Sequence, residues 1–145
     1  MNEFDPLKLD NQICFPLYAA SREVIKRYHP LLADLDLTYT QYVCMMVLWE
    51  HRSISSRELG EKLFLDSGTL TPVLKSMEAK GLITRARSSR DERVLTVTLT
   101  KEGMALRKKA EDVPAKLAGC VKMDPADAIQ LHSLLYKLLN GISDK

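Results

Sequence analysis

The stretch from Leu65 to Thr100, LDSGTLTPVLKSMEAKGLITRARSSRDERVLTVTLT, constrains the fold more than any other part of the chain. Its first half reads as a helix capped by Asp66 or Ser67 and stopped at Gly81, with Pro72 predicting a late start or a bend. After Gly81 the period changes to two. Leu82 to Arg87 leads into a five-residue turn, Ser88 to Glu92, and then Leu95, Val97 and Leu99 alternate with Thr96, Thr98 and Thr100. A helix rich in Ser, Thr and Lys that feeds a basic hairpin suits a duplex: helix in the major groove, ribbon on the backbone or in the minor groove.

The flanking segments read as helices. Residues 1–8 form a loose arm. A first helix runs from about Asn11 to Tyr28 and ends at Pro30, starting near Cys14 or kinking at Pro16. Thr38 and Gln41 have capping-box spacing at the start of a second helix, and Ser55 with Glu58 repeats it for a short third. Thr100 caps a fifth helix that carries Met104, Ala110, Val113 and Leu117. Asp124 and Pro125 open a sixth. The expected order is four helices, two strands, two helices. Residues 54–100 form a winged helix-turn-helix within a single domain, 1–145. Helices in 8–30 and 101–142 carry wide apolar faces that one winged module cannot cover, which points to a homodimer.

The whole chain carries only +2, but Thr84 to Lys101 holds Arg85, Arg87, Arg90, Arg93 and Lys101 against Asp91 and Glu92, a local +3. That is the electrostatic footprint of a phosphate-binding hairpin. Ser67, Thr69, Thr71 and Lys75 are the groups on the candidate recognition helix able to reach base edges and phosphates. A solvated basic face and ordinary helix caps are the competing reading for each residue singly; the ordered combination favours DNA. No apolar run approaches the ~18 residues of a membrane span. The polar N-terminus has no signal-peptide pattern, so a cytoplasmic protein is expected. Cys14, Cys44 and Cys120 have no zinc spacing and the three histidines are scattered; no metal or cofactor is expected. No thioredoxin-like pattern, catalytic triad or phosphate loop supports an enzyme, including a thiol peroxidase. A non-specific nucleoid protein is a further alternative.

Asp91-Glu92-Arg93 followed by Leu99-Thr100 resembles the wing signature of the MarR transcriptional regulators, in which an Asp and an Arg two positions on organise the hairpin tip. A carboxylate across the turn would aim the arginine through a charge-assisted hydrogen bond. The resemblance covers about Leu7 to Leu139. It implies a triangular homodimer that binds pseudopalindromic double-stranded DNA, usually as a repressor.

Cys44 sits in an apolar helix and reads as a packed thiol. Cys14 opens the first helix, where the positive end of a helix dipole favours thiolate. Tyr18, one helical turn on, shares its face, and Tyr28, Tyr39 and Tyr42 follow closely in sequence; their bland reading is amphipathic core. Asn11 to Phe15, Leu17-Tyr18-Ala19, Tyr28, Pro30-Leu31-Leu32, Leu37 to Tyr42, Leu48-Trp49-Glu50 and Leu63 to Pro72 are similar to the organic-hydroperoxide-sensing branch of that family. The resemblance implies that Cys14 is the peroxidatic thiol, held by Tyr28 and Tyr39 of the partner subunit. Organic hydroperoxide would oxidise it to sulfenic acid. A low-molecular-weight thiol, or a resolving Cys120 near Val113-Pro114, would then complete the switch. A buried helix thiol is the other reading of Cys120. The alternative function is a repressor gated by a small phenolic or aromatic ligand between winged domain and dimer helices.

Overall fold

In the computed structural model, which describes residues 4–142, the leading segment is stitched rather than loose. Asn11 Nδ2 donates to the Asp5 carbonyl at 2.9 Å, and Gln12 Nε2 donates to the carbonyls of Pro6 (2.7 Å) and Lys8 (2.9 Å). Of the expected arm, residues 1–3 lie outside the described residues. Helix α1 spans Cys14–Ala33. Pro16 falls in its first turn, where a backbone N–H has no intrahelical partner to lose. Pro30 does not end it, contrary to expectation. The helix forfeits one bond there and continues, because Leu32 is driven into the core at 1% exposure.

Helix α2, Tyr39–His51, has both halves of its capping box: Gln41 N–H donates to Thr38 Oγ1, and Thr38 N–H donates to Gln41 Oε1. A three-residue strand β1, Ser53–Ser55, follows and was not expected; Ser-Ile-Ser is too short to display a period. Next come α3, Ser56–Leu63, capped by Ser55, and α4, Ser67–Ala79, capped by Asp66. Helix α4 starts at Ser67 despite Pro72. Its end is a Schellman turn: Gly81 at φ 79° lets Leu82 N–H reach the Met77 carbonyl and Gly81 N–H the Glu78 carbonyl.

Strands β2, Ile83–Arg87, and β3, Leu95–Leu99, form the wing, and β1 pairs antiparallel with β3, giving the order β1-β3-β2. The turn between β2 and β3 covers seven residues, 88–94, rather than five. Ser88 N–H bonds the Val94 carbonyl, which closes the loop outside an inner Asp91–Val94 turn. The expected fifth helix is two: α5, Lys101–Ala110, and α6, Val113–Cys120. Pro114 supplies no N–H to continue a helix from α5 but is well suited to opening a new one. Helix α7, Pro125–Gly141, completes the chain.

Leu32, Met45, Leu48, Leu59, Leu74, Met77, Ile83 and Val97 are the largest fully buried side chains, so the core sits where α2, α4 and the wing sheet meet. Trp49 Nε1 donates to the Gly103 carbonyl at 2.9 Å and ties α5 to α2. Helix α7 buries none of its residues. Leu131, Leu134 and Leu138 form an open stripe along it, and Ile13, Phe15 and Leu17 are likewise exposed at the start of α1.

Candidate functional site

The tyrosines gather where α1 and α2 converge. Ring centroids of Tyr28 and Tyr39 are 4.7 Å apart, Tyr28 and Tyr42 5.7 Å, and Tyr39 and Tyr42 6.2 Å, all tilted. These are favourable aromatic separations. Burial, then the neighbouring phenols Tyr39 and Tyr42, push the Tyr28 hydroxyl up to about 12. Burial first, and the neighbouring phenol Tyr136, raise Tyr39; burial and then Tyr39 raise Tyr42. The phenols therefore stay protonated and keep an O–H to donate at neutral pH. Tyr42 completes the cluster as a third ring. Tyr18 is not in the cluster. It is 60% exposed, accepts a hydrogen bond from Arg22 at 3.3 Å and carries that guanidinium over its ring at 4.9 Å.

Cys14 is the first residue of α1 and is exposed, as is Cys120 at the last residue of α6. Fourteen residues of helix separate Cys14 from Tyr28, about 21 Å of rise at 1.5 Å per residue. No phenol of the cluster can therefore meet the Cys14 sulfur of its own α1. Cys44 is fully buried, and desolvation pushes its thiol up to about 12, which suits a packed and unreactive residue.

On α4, Ser67, Thr69, Thr71 and Lys75 are all exposed. Asp66 Oδ1 accepts from Thr69 N–H at 2.7 Å; this backbone bond is the main cause of its lowered carboxyl pKa. The Thr71 hydroxyl is turned back onto the Ser67 carbonyl at 2.7 Å. In the wing, Arg87, Arg90 and Arg93 are exposed. Asp91 Oδ1 accepts from Arg93 Nε at 3.1 Å and from Arg93 N–H at 3.0 Å, the geometry expected of the pair; these bonds, the side-chain one first, hold the carboxyl below its ordinary range. The guanidinium of Arg93 remains open to solvent. Arg85 is placed otherwise than expected for a phosphate contact. Its Nη2 lies 3.0 Å from Glu78 Oε1 with only 18% of the side chain exposed, so it braces β2 against α4. The alternation along β2 did not show this, because Glu78 belongs to the preceding helix.

A cleft of about 880 Å³ opens between α3, α4 and the end of α7, lined among others by Arg57, Thr71, Leu74, Leu139 and Ile142. Among the described residues there is no cluster of His, Cys, Asp or Glu able to hold a metal, and no helix is long and apolar enough to cross a membrane.

Residues 26–110 match the family model described as transcriptional regulator SarA/Rot. Over 144 residues, 99% of this chain and 98% of the relative, the sequence is 51% identical to the organic hydroperoxide resistance transcriptional regulator of Bacillus subtilis. Among solved structures, reduced AbfR bound to DNA, from Staphylococcus epidermidis, is 32% identical with a TM-score of 0.76, covering 91% of this chain and 90% of that one. Bordetella bronchiseptica BpsR, at 21% identity and a TM-score of 0.85 over 95% of this chain and all of that one, shares the fold.

Proposed function

Because this chain belongs to the MarR family of transcriptional regulators, in the branch of the organic hydroperoxide resistance regulators, it is a DNA-binding regulator and not an enzyme, and we propose that oxidation of Cys14 by an organic hydroperoxide releases it from its operator. The observation that carries this reading is the distance along α1. Cys14 opens the helix, the three phenols crowd its far end, and no protomer can join its own pair. A second copy that crosses the first brings the partner's Tyr28 and Tyr39 to Cys14. The open stripes on α1 and α7 supply the apolar surface for that homodimer.

The chemistry then balances simply. The Cys14 sulfur attacks the distal oxygen of the hydroperoxide, the O–O bond breaks, and the alcohol leaves with a proton. Sulfur is oxidised to sulfenic acid. Condensation with a low-molecular-weight thiol, or with the partner's Cys120, forms an S–S bond and expels water. Either product replaces a small acceptor with a bulkier group among the phenols. The two winged units, joined through the same helices, then change their spacing and no longer fit successive grooves. Ser67, Thr69, Thr71 and Lys75 act on the duplex from α4, and Arg87, Arg90 and Arg93, the last aimed by Asp91, from the wing. Arg85 supports this surface from within.

Cys14→Ser tests the reading. With a duplex selected by the reduced protein from a random pool, the variant is expected to bind within threefold of wild type, about 0.7 kcal/mol. It should show no weakening with cumene hydroperoxide, where wild type weakens about tenfold or more. Release of the serine variant by cumene hydroperoxide would end the proposal. The 880 Å³ cleft is of the size that holds small ligands and gives the ligand-gated alternative its one support; on that reading the serine variant keeps its response to a phenolic effector.

A further inference from the structure

Gln41 is the one polar residue in the buried class among the described residues, at 4% exposure. It lies in the first turn of α2, between two residues of the phenol cluster, Tyr39 and Tyr42. Each residue advances a helix by about 100°, so Gln41 faces roughly 200° away from Tyr39. The first turn thus presents phenols on one side and this amide on the other.

Three of the amide's four hydrogen-bonding positions are engaged, and two of the partners, Ser76 and Lys80, lie at the end of the recognition helix. Gln41 Nε2 donates to Ser76 Oγ at 3.0 Å, across 35 residues of sequence. Gln41 Oε1 accepts from Lys80 Nζ at 2.9 Å and from its own cap, Thr38 N–H, at 3.1 Å. Lys80 Nζ also donates to the carbonyl of Asp36, a residue held at φ 53° in the α1–α2 connection. One side chain therefore bonds the start of α2 to the end of α4, and Lys80 extends the tie to the loop that leads into Tyr39.

We infer that Gln41 is a positioning residue that couples the phenol cluster to the recognition helix. The inference rests on the reading of Cys14 above. A disturbance among the phenols displaces the first turn of α2. If α4 stayed behind, the Gln41 amide would lose Ser76 and Lys80 inside the protein. A buried amide without partners bears its full desolvation penalty, so the bonds hold and α4 is carried along. Apolar contacts between α2 and α4 allow sliding; a bonded amide fixes one register.

The readout is the ratio of operator dissociation constants after and before cumene hydroperoxide, measured on the full-length protein with the selected duplex. Gln41→Met fills the space without hydrogen bonds and should lower this ratio at least fivefold, the smaller end of ordinary coupling factors. Gln41→Glu, which accepts from Thr38, Ser76 and Lys80, should restore the ratio to within twofold of wild type. Ser76→Ala, which removes one partner without touching α2, should fall between and serves if Gln41→Met does not fold. A wild-type ratio in Gln41→Met, or in Ser76→Ala where only that variant folds, overturns the inference. So does a Gln41→Glu variant as deficient as Gln41→Met, because a packing role would be indifferent to the acceptor. A ratio of one in wild type sinks the Cys14 reading itself, and this inference with it.

Discussion

Alanine at position 103 is expected to lower the unfolding free energy by about 3 kcal/mol, the upper end of what overpacking does to a folded core. A Cβ on Gly103 would stand 2.3 Å from the Leu82 carbonyl oxygen and 2.7 Å from Leu99 Cδ1. The first of these is backbone and cannot swing aside. Three bonds meet at this junction: Thr100 Oγ1 donates to the Gly81 carbonyl and accepts from Gly103 N–H, while the Gly103 carbonyl accepts from Trp49 Nε1. Moving α5 to admit a methyl group loosens all three, together with the closing of the wing onto α4. Urea denaturation followed by the fluorescence of Trp49, the sole tryptophan, reports both the stability and the lost indole bond. A loss below about 1 kcal/mol would mean that the junction yields more readily than its backbone contact implies.

If the proposed homodimer forms through α7, Leu134→Glu is expected to split it and to weaken operator binding on the order of a hundredfold, since joining two half-site binders contributes at least that much. Leu134 is 53% exposed at the centre of the α7 stripe, and the helix buries nothing within its own protomer. A carboxylate there leaves the 16.4 kDa protomer intact and becomes prohibitive only when a second copy covers it. Light scattering gives the mass and anisotropy the affinity. A variant that remains a dimer with full affinity would move the interface away from α7 and deprive Cys14 of the phenols assigned to it.

The elements written in local chemistry were legible in the sequence. Thr38, Ser55, Asp66, Thr100 and Asp124 each cap a helix as their spacing predicts, because a cap joins residues two or three apart. Asp91 and Arg93 are as local and equally legible. Features decided by distant partners were not. Pro30 is overridden by the burial of Leu32. The strand Ser53–Ser55 exists only through its pairing with Thr96–Thr98. Arg85 looked like its basic neighbours until Glu78 claimed it, and Gln41 looked like half of a capping box although it also reaches Ser76 on α4. The closeness of Tyr28, Tyr39 and Tyr42 in sequence foreshadowed the cluster, but their meeting depends on the packing of α2 on α1; Tyr18 stands apart because ten residues of α1, about 15 Å of rise, separate it from Tyr28.

The most direct measurement follows the sulfur and the DNA together. Protein bound to its selected duplex is titrated with cumene hydroperoxide in the presence of a small thiol; anisotropy records release, and mass spectrometry of the quenched samples assigns each cysteine. The released fraction should rise in step with modification of Cys14, as a mixed disulfide or a cross-link to Cys120, while Cys44 stays reduced. Operator complexes that persist with Cys14 fully modified, or dissociate with Cys14 still a free thiol, would contradict this.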